Sequence, residues 1–254
     1  MHFARYIALG DSISIGLYPA LDVAGARDWV VPGALRRELG AASLLYRNDD
    51  AMWPEFAGRD LASLHPGIAF RDEHDLGSPT DGEIDNLATD GATTEDVRAH
   101  QIPRIEPSEE PTLLTLSVGG NDLLAALHRN PAPRNLVAGI ASRLRRMLRD
   151  VKARRPNSSI LATNVYDPSD GTNDLGDGRP LDEAAGWLAD YNLQLRVATA
   201  EVEGACVADI RAHFFGHGVT AASADRWYWR HSIIEPSARG ASEVRRVWLR
   251  CLAG

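Results

Sequence analysis

The sequence predicts an α/β protein built on a parallel sheet with helices on both faces. Three observations carry this. Short, nearly uncharged apolar runs recur at residues 6–10, 112–118, 159–163 and 205–210, the pattern of strands buried on both sides. Longer segments with apolar residues spaced three and four apart lie between and after them. Strand and helix patterns alternate along the chain, which favours crossover connections and a parallel sheet. With a further short run at 84–88, about five strands are expected.

The first run, Tyr6-Ile7-Ala8-Leu9, stops at Gly10 and is followed by Asp11 and Ser12. Gly16 and Pro19 then read as a loop running to about Trp29, and 32–39 has no clear periodicity. Trp53-Pro54-Glu55 opens a helix carrying Phe56, Leu61 and Leu64. A weak strand is expected at 68–76 and a turn at 78–82. Thr93 or Thr94 can cap the next helix, with Asp96 in its first turn. The clearest strand, 112–118, is bounded by Pro111 and Gly119. Val137, Ile140, Leu144, Met147, Leu148 and Val151 form one helix face, which Pro156-Asn157 ends. Residues 166–180, rich in Asp, Gly, Ser and Pro, are too long for a tight connection. Leu188, Tyr191, Leu195, Ala198 and Val202 mark a helix over 182–203. The strand at 205–210 follows, then an aromatic loop at 227–234 and a closing helix over 237–252.

The 254 residues, with no internal repeat or linker, are read as one domain spanning 1–254, and 44% hydrophobic content is ample for its core. A net charge of −8 argues against nucleic-acid and anionic-membrane partners. Arg143, Arg145 and Arg146 read as a solvated helix face. No run is long enough to span a bilayer, and the first strand begins too early for a signal peptide, so a soluble cytoplasmic protein is expected. Two cysteines do not make a disulfide scaffold.

Three segments carry chemistry: Gly10-Asp11-Ser12; Asn86-Leu87-Ala88-Thr89-Asp90-Gly91-Ala92-Thr93-Thr94; and Leu113-Leu114-Thr115-Leu116-Ser117-Val118-Gly119-Gly120-Asn121-Asp122. Each sits beside a strand-like run, where open α/β sheets bind ligands. In this order they resemble the first three sequence blocks of the SGNH hydrolases, the GDSL esterase/lipase family. The resemblance implies a flavodoxin-like three-layer α/β/α sandwich and a serine hydrolase that cleaves carboxylic esters through a covalent acyl-enzyme. Ser12 would be the nucleophile. The Ser12 and Gly91 backbone N–H groups and the Asn121 side chain would hold the oxyanion. Three neutral donors at adjacent strand tips can converge on one oxygen, and one such donor is typically worth about 2.7–4 kcal/mol of barrier. Asp11 and Asp122 would order the loops that carry these groups.

The family ends in an Asp-x-x-His pair before Pro and Gly. Aligned on Pro236 and Gly240, this chain has Ser232 at the aspartate and Glu235 at the histidine. Three residues compete for the general base. His231, with Asp225 or a backbone carbonyl to orient it, is preferred; Glu235 and His217 are the alternatives. A Glu235 carboxylate needs apolar surroundings to reach a useful pKa. Asp209, His213 and His217 recur every four residues, but Gly216 and Gly218 argue against a helical metal site. Trp227, Tyr228 and Trp229 either line an acyl or sugar pocket or pack the loop onto the core. The expected partner is a small-molecule ester, with no cofactor. Rival readings are an acyl or acetyl transferase or sugar deacetylase on the same site, and a non-catalytic binding protein that lost its base.

Overall fold

The structure, a computed structural model, describes residues 2–27, 30, 33–72, 84–127, 135–175 and 182–253. The expected turn at 78–82 lies outside these residues, as do residues 28, 29 and 32, the end of the 68–76 strand and the end of the 166–180 loop. Four strands, β1 (Arg5–Gly10), β2 (Thr112–Ser117), β3 (Ser158–Thr163) and β4 (Ala205–Ala208), pair in parallel in the order β1-β2-β3-β4. The fifth strand does not form as such. Two separate segments lie end to end along the free edge of β1, each contributing one isolated parallel bridge: Ala69 opposite Arg5 and Asn86 opposite Ala8. The last strand also stops at Ala208, because Asp209 accepts from the Ala212 N–H and caps a helix there.

Helices α1 (Leu17–Val23), α2 (Ala41–Tyr46), α3 (Leu61–Leu64), α4 (Thr94–Asp96), α5 (Gly120–Leu127), α6 (Leu136–Arg154), α7 (Asp182–Ala200), α8 (Ile210–Phe214) and α9 (Ala238–Ala253) surround the sheet. Alternation along the strands divides the core. Tyr6, Ala8, Leu113 and Leu161 pack with Ala41, Ala42 and Leu45 of α2 and Val244, Val247 and Trp248 of α9. Ile7, Leu9, Leu114, Leu116, Ile160 and Ala162 pack with Leu144, Met147 and Val151 of α6 and Leu195 and Ala198 of α7. The result is the expected α/β/α sandwich. No helix among the described residues is long and apolar enough to cross a membrane.

Two local expectations are corrected. The stretch after Gly16 is helical, α1, rather than loop: Pro19 falls in the first turn, where the missing N–H takes no helical hydrogen bond from the backbone. The helix read from Trp53 to Leu64 is instead a 3-10 turn, Pro54–Phe56, and the four-residue α3, separated at Gly58 with φ +70°.

Candidate active site

The sheet brings the three motifs to one edge, at the carboxyl ends of β1 and β2. Gly10 ends β1 with φ +127°, and a Cβ there would lie 1.9 Å from the Ser117 carbonyl oxygen. That close approach lets the Asp11 N–H donate to the Ser117 carbonyl at 3.0 Å and fixes where Ser12 leaves the sheet. The buried Asp11 carboxylate accepts from Ser117 Oγ at 3.0 Å and from the Ile13 N–H at 3.2 Å, closing the turn around Ser12. Gln101 grips the same turn. Its Oε1 accepts from the Gly10 N–H at 2.8 Å, while its Nε2 donates to the Gly10 carbonyl at 2.8 Å and to Thr89 Oγ1 at 3.1 Å, tying the first motif to the second. Gln101 ends a π-helical turn, Val97–Gln101, an irregularity common at functional sites. Nothing in its sequence surroundings distinguishes it.

The second and third motifs are joined by Asp122. Its carboxylate accepts from the Thr94 N–H at 2.8 Å, from Thr94 Oγ1 at 2.7 Å and from Arg143 Nη2 at 2.9 Å. Arg143 is therefore part of the loop bracing and not of a purely solvated face. Thr93 and Asp96 form a reciprocal capping box just before it. Asn121 donates one amide N–H to the Ala92 carbonyl at 3.1 Å, so its side chain is held against the residue after Gly91. Gly91 has φ +72° with open space where a Cβ would stand; its conformation, not crowding, calls for glycine. Among the described residues neither the Ser12 nor the Gly91 backbone N–H has a hydrogen-bond acceptor. Ser12 and Asn121 line one cavity, with Glu235 on its wall.

Among the three candidate bases, Glu235 is the one that meets Ser12: Ser12 Oγ donates to Glu235 Oε1 at 3.2 Å, and both side chains are buried. Burial drives the Glu235 pKa up to about 8; the Ser12 hydrogen bond opposes this, and the nearby Asp11 and Asp90 charges add to it. Burial likewise raises Asp11 to about 7, against the pull of its Ser117 hydrogen bond. Glu235 Oε2 is buried without a partner among the described residues. His231, the preferred candidate, is held elsewhere. Its exposed ring lies at the end of the loop, where Nε2 accepts from Arg230 Nε at 2.9 Å and the ring meets Trp229 edge-on. His217 is stacked flat on Trp227 at 3.6 Å, with Nδ1 on the Asp225 carbonyl at 2.6 Å. Asp209, His213 and His217 have separate partners, and no group of potential metal ligands occurs among the described residues. Trp227, Tyr228 and Trp229 are buried in the core and do not line the cavity.

The loop that presents Glu235 is tightly specified. Ser232 Oγ accepts from the Ile234 and Glu235 N–H groups at 3.2 and 3.0 Å, and the Trp229 N–H donates to the Glu235 carbonyl at 2.8 Å. Gly240 packs where a Cβ would lie 2.1 Å from the Trp227 carbonyl oxygen, which seats the first turn of α9 against this loop. Ser232→Ala should therefore cost about 1 kcal/mol of stability, readable as a lower denaturant midpoint at unchanged m-value. It should also loosen Glu235, with a fall of roughly tenfold in kcat and little change in KM if Glu235 acts on Ser12.

A helix-flanked parallel sheet with Ser, Gly and Asn motifs at adjacent strand tips defines a class. Residues 8–242 match the sequence profile of the GDSL-like lipase/acylhydrolase family, and the chain belongs to that family. No curated protein matches it by sequence. Among solved structures it is similar to an extracellular lipase from Streptomyces rimosus, at 20% identity and TM-score 0.58 over 98% of this chain and 99% of that one. It is also similar to phospholipase A1 from Streptomyces albidoflavus NA297, at 22% identity and TM-score 0.57 over 99% and 98%. An acetylxylan esterase from Geobacillus stearothermophilus aligns at 16% identity and TM-score 0.58 over 98% and 94%. At these identities the likeness is one of fold.

Proposed function

We propose that this chain is a serine ester hydrolase in which Ser12 is the nucleophile and Glu235 the general base. The observation that carries the reading is the buried hydrogen bond from Ser12 Oγ to a carboxylate whose pKa lies near 8. In the reaction Ser12 Oγ attacks the ester carbonyl as Glu235 takes its proton. The oxyanion is held by the Ser12 and Gly91 N–H groups and by the Asn121 amide N–H not engaged by Ala92. Glu235 then protonates the leaving alkoxide, giving the alcohol and an acyl-Ser12 ester. Glu235 next deprotonates a water, which attacks that ester, and returns the proton to Ser12 Oγ as the acid leaves, restoring the free enzyme. Small-molecule esters suffice as substrates, and no cofactor enters any step.

A fluorophosphonate probe tests this directly. Ser12 should be the modified residue by peptide mass spectrometry, and p-nitrophenyl esters should release a burst of nitrophenol stoichiometric with enzyme wherever deacylation is the slower step. A second reading, a binding protein that kept the cradle and lost its base, is favoured by the glutamate at the family's histidine position. An unlabelled Ser12 together with ester turnover no faster than buffer would select it.

A further inference from the structure

We infer that the cavity beside Ser12 is an acyl-chain pocket for medium-length carboxylic esters, which rests on the reading of Ser12 as the nucleophile. The cavity has a volume of about 140 Å³ and runs from Ser12, Asn121 and Glu235 into the space between α5 and α7. Leu124 and Leu127 of α5, Ala184 and Leu188 of α7, and Val165 give it apolar walls. At ~10–15 Å³ per enclosed water-sized position, the volume holds on the order of ten non-hydrogen atoms. An octanoyl group matches that size; an acetyl group leaves most of it unfilled.

The polar groups described on the wall are taken up by protein partners. Among the described lining residues there is no Lys, Arg or His to receive a phosphate or other anion. Thr163 Oγ1 is taken by Trp248 Nε1 at 2.8 Å, and Asn164 is held between Asp209 and the Arg211 N–H. The Tyr166 ring stacks on Phe214 and meets Tyr228 edge-on, and its hydroxyl donates to the Ile234 carbonyl, so it is not a free platform for a sugar. Away from the reacting atoms, then, the wall presents apolar surface together with polar groups that already have protein partners. Each methylene drawn from water into such a wall favours binding about fourfold.

The test compares p-nitrophenyl acetate and octanoate, the latter kept below its micelle concentration, for the wild type and Ala184→Trp. The wild-type kcat/KM should be at least tenfold higher for octanoate. The octanoate-to-acetate ratio should fall at least tenfold in Ala184→Trp, since the indole fills the space between α5 and α7. In parallel, octanamide, a neutral analogue that needs no chemistry, should raise the Tm of the wild type where acetamide at equal concentration does not. Equal rates on both esters, with no octanamide shift, overturn the pocket assignment while leaving a Ser12-dependent esterase intact. An octanamide shift without Ser12-dependent turnover keeps the pocket and removes the hydrolase reading. The wild-type profile and the octanamide titration decide the matter even if Ala184→Trp does not fold.

Discussion

Removing Ser12 Oγ or the Glu235 carboxylate should each reduce kcat/KM for an activated ester by at least about a thousandfold, and removing both should cost little more than removing one. In the proposed mechanism the two groups act as a unit: the hydroxyl is a poor nucleophile until its proton has somewhere to go, and general-base catalysis alone is typically worth about 10²–10⁴. Glu235→Gln is the informative variant. Its amide oxygen can still accept from Ser12 Oγ, so the 3.2 Å contact can persist while proton acceptance is lost. A Gln variant retaining a tenth or more of wild-type activity would remove Glu235 from the mechanism. Glu235→His, paired with Ser232→Asp, rebuilds the family's Asp-x-x-His pair. It should recover activity with a midpoint nearer the ordinary imidazole value of about 6.5.

On the proposed mechanism the same carboxylate should set the pH dependence. Because the base must be ionised, kcat/KM should rise with pH to a plateau with an apparent pKa near 8. Stability should run the other way. The folded pKa lies above the ordinary 4.5, so the native state binds more protons than the unfolded chain between these values. The contribution of Glu235 is fully present below about pH 4.5 and is lost as pH rises through about 8. Asp11, raised to about 7, has the same sign over a slightly lower range. Glu235→Gln should therefore flatten the upper part of the stability profile and leave the Asp11 part in place. An activity midpoint near 5 would mean that burial does not govern this carboxylate.

How much of this was legible beforehand depends on whether the signal was local. Gly10-Asp11-Ser12, Gly91 and Asn121 are short motifs beside strands, so their positions could be read locally; Ser12 and Asn121 line one cavity, and Gly91 is not among its described lining residues. The helix α1 was missed because Pro19 looks like a breaker, whereas a first-turn proline costs a helix nothing. The fifth strand was half right: the 68–76 and 84–88 segments do reach β1, but each forms only one bridge. For the base, alignment on Pro236 and Gly240 puts Glu235 where the family has its histidine, a departure from the usual triad, and His231, four residues earlier in the same loop, was preferred. The proposal of Glu235 rests on its burial and its contact with Ser12, neither of which a local pattern carries. Gln101 and Arg143 were invisible for a related reason: their partners lie 91 and 49 residues away, at Gly10 and Thr94.

Gly10→Ala should destabilise the fold by about 2–6 kcal/mol. Two costs combine. At φ +127° an alanine is strained by roughly 1–3 kcal/mol. Its Cβ, 1.9 Å from the Ser117 carbonyl oxygen, must also push β1 and β2 apart at their tips, and overpacking of this kind costs roughly 1–3 kcal/mol more. The obstacle is backbone, held in the parallel ladder by the pairing of Gly10 with Ser117, so no side-chain rotation relieves it. At roughly 2–4 °C per kcal/mol for a chain of this size, the Tm should fall by about 10 °C. Any folded remainder should lose activity beyond its loss of stability, because a shift at Gly10 pulls on both hydrogen bonds from Gln101 and displaces Ser12 from Glu235. Gly91→Ala separates the two costs: it carries the φ strain at +72° without the clash, and should lower stability by only about 1–2 kcal/mol. Equal losses in the two variants would show that close packing of the strand tips is not what requires glycine at position 10.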